Sequence, residues 1–203
     1  MNIFKNIKQK AHNTGKVLLP LVKQYLDINP EEREIIIKPQ ATLFLCQQVQ
    51  GKVDKIKSLK PDEKKGLIAD IEHDNINITI HFNPECITLK EDCIQGQLRL
   101  IKKPDIKTDS KVYNTLIAGW KVFLGGYIPQ SALPENVKVE GETVFYTFPR
   151  NQVKTLEALL KGVKNESVFN TDINEGQFTI KSNVSLDWNN IDLQAFLSSF
   201  NSK

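Results

Sequence analysis

The stretch HDNINITIHFNPECITLKEDCIQGQLRL, residues 73–100, decides the fold class. Apolar and polar side chains alternate strictly from Ile76 to Phe82. One face of an extended chain would carry Ile76, Ile78, Ile80 and Phe82, and the other Asn77, Thr79 and His81. Because successive side chains of a strand point to opposite faces, this period of two predicts a strand with one buried face. Turns are predicted at residues 83–84 and 90–92, with further strands up to Pro104.

The same period recurs on both sides of this stretch. Further strands are predicted in residues 34–39, 51–59, 66–73 and 176–188, and a hairpin in residues 136–149 around an EGE turn. Consecutive strands joined by short turns favour antiparallel pairing.

Apolar residues at helical spacing predict helices near the N-terminus and in residues 109–124, 151–163 and 189–200. Residues 41–52 fit either a short helix or an apolar loop. The fold class is therefore α+β, with about eight mostly antiparallel strands packed against three or four helices. Residues 1–30 are expected to form a basic amphipathic helix, and residues 31–203 a single α+β domain.

The positive charge of the chain is concentrated at its start. Residues 1–26 carry five lysines and no acid, and the net charge of the whole chain is +3, so the remainder carries −2. These lysines are Lys5, Lys8, Lys10, Lys16 and Lys23. A basic helix of this kind can lie on an anionic membrane surface, where each lysine contributes roughly 1 kcal/mol. Alternatively, it covers the core and presents its lysines to water.

The sequence carries no recognisable catalytic, phosphate-binding or metal-binding motif. The histidines, His12, His73 and His81, and the scattered carboxylates form no spacing typical of catalysis. Cys86 and Cys93 could pair in an oxidising compartment, but nothing requires it. We expect a protein that is not an enzyme, with no cofactor, no metal and no nucleic-acid partner. Without a signal peptide or a transmembrane run, a cytoplasmic protein peripheral to a membrane is expected.

Several segments occur in an order that resembles a known family. They are LFLCQQVQGKVDKI, KGLIADIEHDNINI, IQGQLRLIKKPDI and the helix entry TDS…YNTLIAGW. The chain resembles the LmeA-like phospholipid-binding proteins of bacteria, within the tubular lipid-binding superfamily, over residues 33–124 and more loosely beyond. The resemblance implies a curved antiparallel sheet wrapped round a helix, with an apolar groove for acyl chains. Family members often begin with an export signal, whereas this chain begins with a lysine-rich segment.

The predicted function is therefore non-enzymatic binding of an apolar or acyl-chain lipid by the apolar strand faces. The groove residues expected are Ile78, Ile80, Phe82, Leu98, Leu100, Val144, Tyr146 and Phe148, although the same residues also fit an ordinary core. The expected partner is a lipid or an anionic membrane surface. The alternative is a structural or adaptor protein that binds another protein through a sheet edge or through residues 125–136.

Overall fold

The computed structural model describes residues 23–51, 55–73, 76–110, 114, 117–118, 136–150 and 165–184. Within these residues, eleven strands form one sheet and one helix is described over its whole length. The helix, α1, spans Pro39–Gln50. The strands are β1 (Leu26–Asn29), β2 (Glu34–Ile37), β3 (Ile56–Pro61), β4 (Leu67–His73), β5 (Ile76–Leu89), β6 (Cys93–Leu100), β7 (Asp105–Thr108), β8 (Val137–Glu140), β9 (Thr143–Pro149), β10 (Val168–Asn174) and β11 (Gln177–Ser182).

Every strand pairing in this sheet is antiparallel. The main strand order is β1-β2-β11-β10-β5-β6-β9-β8, and β3, β4 and β7 branch from this path. The mostly antiparallel sheet predicted from the alternation is confirmed, including the hairpin of β8 and β9. Three strands were not predicted. β7 follows Pro104, where the predicted strand ended. β1 was assigned to the end of the N-terminal helix, and the polar residues of β10 gave it the composition of a loop.

The predicted turn at Asn83–Pro84 is wrong, because β5 continues through it to Leu89. Pro84 pairs with Leu98 and Cys86 with Gln97, so Glu85 is the extra residue of a β-bulge. A bulge accommodates the missing N–H of proline and shifts the phase of the alternation by one residue. The apolar residues on both sides of the bulge therefore stay on the same face of the sheet.

Helix α1 packs on this apolar face and contacts β3 and β11. We call β3 and β4 one arm of the sheet, and β1, β2, β10 and β11 the other arm. On one side Ala41 joins a buried cluster with Leu26, Ile35 and Ile37. On the other side Cys46 joins Leu59 and Ala69. α1 thus packs against two separate parts of the sheet, and residues 41–52, expected to be either helix or loop, are mostly helix.

The two arms meet at Asn83 in the middle of β5, where β4 ends its pairing with β5 and β10 takes over the same edge. The buried side chain of Asn83 joins them: its Oδ1 accepts a hydrogen bond from the Ile173 amide at 2.9 Å, and its Nδ2 donates to Asp172 Oδ1 at 2.6 Å. The Gly66 amide also donates to the Ile173 carbonyl, at 2.9 Å. A buried polar side chain with both ends bonded fixes this junction.

Much of the predicted helical content lies outside the described residues. Residues 23–25 are helical, but residues 1–22 of the predicted N-terminal helix are not described. The predicted helix at 109–124 is described only at Asn114, Ile117 and Ala118, which are helical. The predicted helices at 151–163 and 189–200 are outside the described part. Among the helices that are described, none has the length and apolar character needed to cross a membrane.

Candidate apolar ligand surface

The strand register places all eight predicted groove residues on one face of the sheet. Leu98 pairs with Val144, Gly96 with Tyr146 and Ile94 with Phe148. The same face continues across β5, because Leu100 pairs with Phe82. It continues further into β4, β7 and β8 through neighbouring apolar pairs. Residues separated by up to 70 positions in the sequence therefore share one surface, which is also the surface that α1 covers in part.

These residues differ in how far they are buried. Leu100 is only 6% exposed and belongs to the core, whereas Phe148 is 38% exposed. The other six are partly buried. Exposure rises from β5 towards the end of the strand order: along one cross-strand row, Leu89 is 0%, Ile94 3% and Phe148 38% exposed. We call the partly buried and exposed apolar residues of this face on β6, β8 and β9 the open surface, which consists of Leu98, Val137, Val139, Val144, Tyr146 and Phe148.

Gly96 lies beneath the Tyr146 ring of the open surface. It was not among the predicted groove residues. A Cβ atom at Gly96 would lie 1.9 Å from Tyr146 Cζ, so the tyrosine ring lies directly across the glycine backbone. The Phe148 ring packs beside it, with ring centroids 5.2 Å apart. Only glycine leaves room for this cross-strand aromatic contact. Its signal in the sequence was the lone glycine inside an otherwise regular strand.

Tyr146 brings a polar group to a surface made otherwise of hydrocarbon side chains. Burial raises the pKa of its phenol to about 12, with a smaller contribution from Cys86. The phenol therefore stays protonated near neutral pH and can donate a hydrogen bond.

The opposite face of the same strands carries a shallow cleft of about 670 Å³. It is lined by Asp92, Cys93, Asn136, Lys138, Phe145, Thr147 and Pro149, and also by Val137 of the edge strand β8, which borders the open surface as well. Burial, together with a hydrogen bond to the Asp92 carboxylate, raises the pKa of the Cys93 thiol. Since thiolate is the reactive form, Cys93 is not an activated nucleophile.

The three cysteines are free. Cys46 lies on the buried side of α1, and this burial raises the pKa of its thiol to about 11. Cys86 lies opposite Gln97, four residues along β6 from Cys93. That offset corresponds to roughly 13 Å at about 3.3 Å per residue, too far for a disulfide. The pairing that the sequence left open is therefore not made.

Among the described residues, His81 and Asp62 form a histidine–carboxylate pair. His81 Nδ1 lies 3.6 Å from Asp62 Oδ2. The backbone amide of Lys64 holds the pKa of Asp62 below its usual range, with help from the Lys65 amide, His81 and Lys102. The described part of the chain has no group of three His, Cys, Asp or Glu residues that could hold a metal ion. His12 is outside that part.

The remaining predicted contact residues are only partly covered by the structure. Of the five N-terminal lysines, Lys23 is described and exposed, and the other four are not. Residues 125–135 of the loop proposed for a protein partner are also outside the described part.

Comparisons with family models, with curated proteins and with solved structures give no match for this chain.

Proposed function

We propose that this protein binds an apolar or acyl-chain lipid on the open surface, at the periphery of a membrane and without catalysing a reaction. The observation that carries the proposal is the exposure of a continuous apolar sheet face at β6, β8 and β9, where Phe148 is 38% exposed. Contiguous apolar surface on a folded protein commonly marks a binding site, because exposing it to water is unfavourable.

The open surface has the dimensions and chemistry of a site for a hydrocarbon chain. From Val144 to Phe148 it extends along β9 for about 13 Å, at roughly 3.3 Å per residue. Each methylene of a chain that leaves water there contributes roughly 0.8 kcal/mol. Tyr146 offers the neutral hydrogen-bond donor that a lipid oxygen needs. No charged side chain belongs to the open surface, and a free ionic headgroup would therefore remain in water.

The basic segment at residues 1–26 supports a membrane as the source of the ligand. Its five lysines have no acid among them in the sequence, while the rest of the chain carries a small negative charge. Such a segment is attracted to anionic lipid and brings the protein to the surface from which a lipid can be taken.

Native mass spectrometry of the purified full-length protein, followed by solvent extraction and lipid analysis, tests the proposal. We expect an adduct with the mass of an acyl lipid, close to one per chain. The protein should also take up such a lipid from added vesicles when it is first delipidated. An apo mass that persists after incubation with vesicles would overturn the proposal and assign the open surface to another role.

A further inference from the structure

One buried polar side chain of the sheet has no hydrogen-bond partner. Thr171 of β10 is only 6% exposed. Its Oγ1 atom is fully buried and makes no hydrogen bond within the described part of the chain. A buried hydroxyl without a partner is costly, and native structures rarely contain one. The Thr171 hydroxyl therefore has hydrogen-bonding capacity that the described residues do not use.

Other buried polar side chains of the protein have partners. The Thr42 hydroxyl donates to the backbone carbonyl at the end of β2, at 3.2 Å. Ser182 Oγ accepts a hydrogen bond from the Val184 amide, also at 3.2 Å. Asn83 is bonded at both ends of its side chain. Thr171 thus differs from the buried polar groups that stabilise this fold.

The strand register places the Thr171 side chain on the apolar face of the sheet. Thr171 lies two residues from Phe169, which pairs with Ile87 of β5. Ile87 in turn pairs with Gly96, beneath the Tyr146 ring. Because alternate residues of a strand point to the same side, Thr171 shares the face of the open surface.

The bulge in β5 lies between Thr171 and the open surface. The pairing of β10 with β5 ends at Asn170 and Cys86, so Thr171 lies beside the bulge. Pro84, on the far side of the bulge, pairs with Leu98 of the open surface. Only β5 separates β10 from β6, and two strand spacings amount to about 10 Å. An acyl chain on the open surface can therefore extend to the hydroxyl.

The surroundings of the hydroxyl favour a lipid oxygen over a water molecule. The neighbouring side chains on this face are Phe169 and Ile173 of the same strand and Ile180, the cross-strand partner. A buried water normally makes roughly three hydrogen bonds, and these hydrocarbon side chains offer none. The carbonyl oxygen of an ester or acid is satisfied by one donor, and its hydrocarbon chain can pack on the apolar neighbours.

We infer that the Thr171 hydroxyl is a polar anchor for the bound lipid and donates a hydrogen bond to a carbonyl oxygen at the head of its acyl chain. The inference rests on the proposed function and names the ligand class more closely. The ligand is an acyl lipid with an ester or acid group, rather than a hydrocarbon or an ether lipid.

The test compares two lipids that differ only in their carbonyl groups. Delipidated full-length protein is incubated with vesicles of dioleoyl phosphatidylglycerol or of its diether analogue, and bound lipid is counted by native mass spectrometry. The wild type should bind the ester lipid roughly five- to tenfold more tightly, the value of one net hydrogen bond. Thr171→Val keeps the shape of the side chain without its hydroxyl and should bind both lipids equally. Thr171→Ser keeps the hydroxyl and should keep the preference.

Thr42→Val is the matched control, because it removes a buried hydroxyl that is bonded within the protein. It should lower stability in urea but keep the preference for the ester lipid. In the delipidated protein, Thr171→Val should not lower stability, since it breaks no hydrogen bond of the described chain.

The inference is overturned if Thr171→Val still prefers the ester lipid, or if it loses as much stability as Thr42→Val. Equal binding of both lipids by the wild type would also overturn it, while leaving the proposed function intact. If the wild type takes up neither lipid, the proposed function fails and the anchor fails with it.

Discussion

Two regions of the same apolar sheet face behave differently. Where α1 packs on the sheet, Ala41 of the helix is 0% exposed, and Ile37 and Leu26 of the sheet are 1% and 2% exposed, whereas Phe148 on the open surface is 38% exposed. Both regions arise from the same alternation of apolar and polar residues along strands. The alternation thus identifies which face is apolar, but the packing of distant elements decides which part becomes core. The predictions below test that difference.

The largest expected effect is on stability, from truncating a leucine in the covered region. Leu26→Ala should lower the free energy of unfolding by about 3 kcal/mol, because it leaves a cavity in a packed cluster. The matched change on the open surface, Leu98→Ala, should cost about 1 kcal/mol, since this side chain is partly exposed. Urea unfolding of both variants measures the difference. Equal losses would mean that the open surface is core.

Asn83→Ala tests the junction between the two arms of the sheet. The change removes the acceptor of the buried Ile173 amide and should cost about 2 kcal/mol. Asn77→Ala on the same strand is the control, because Asn77 is exposed and should change stability by no more than about 0.5 kcal/mol. Thermal or urea unfolding measures both. A loss no larger than that of the control would show that the side chain of Asn83 does not hold the junction.

Gly96→Ala should perturb the open surface by displacing the Tyr146 ring. A methyl group there collides with the Tyr146 ring, so we expect a loss of about 1–3 kcal/mol of stability. Adding Tyr146→Ala should recover part of the loss by removing the ring. Gly51→Ala is the control, since its nearest contact is 3.5 Å and its φ is −69°. Additive losses in the double variant would contradict the close ring contact.

The smallest effect on stability is expected from protonation of Asp62, which lies in the turn between β3 and β4. The pKa of Asp62 in the folded protein lies below the usual value of 3.8. The ionised Asp62 carboxylate therefore stabilises the folded protein at pH values above 3.8. This stabilisation is lost as the pH falls through the lower pKa of the folded state. The loss should be under about 1 kcal/mol, because the group lies near the surface. Unfolding of Asp62→Asn from pH 7 to pH 3 should show a smaller acid-dependent decrease than the wild type.

The strands that could be predicted from the sequence are those specified by a local pattern of alternating residues or by a turn residue. The alternation from Ile76 to Phe82 and the turn at Gly141 both specify their strands locally. β10 was missed because its inward side chains alternate with Asn170, Asp172 and Asn174, a composition typical of loops. The turn expected at Asn83–Pro84 failed because a bulge and a buried side chain, both tertiary features, keep that strand continuous.

The same limit applies to the candidate site. Cross-strand alternation was enough to assign all eight predicted groove residues to apolar strand faces. The register that joins them comes from pairings between distant segments, such as β6 with β9. The contact of Tyr146 with Gly96, and the burial of Leu100 beside the exposed Phe148, also depend on those pairings. None of these features has a local signal strong enough to predict it.

The most direct test of the central claim compares two phenylalanines on β9. Phe148 and Phe145 are almost equally exposed, at 38% and 37%, but lie on opposite faces of the sheet. Lipid carried by Phe148→Ser and Phe145→Ser can be counted by native mass spectrometry of the full-length proteins. Phe148→Ser should lose most of its bound lipid, while Phe145→Ser should keep the wild-type amount. Equal retention in both, or loss only in Phe145→Ser, would contradict the claim.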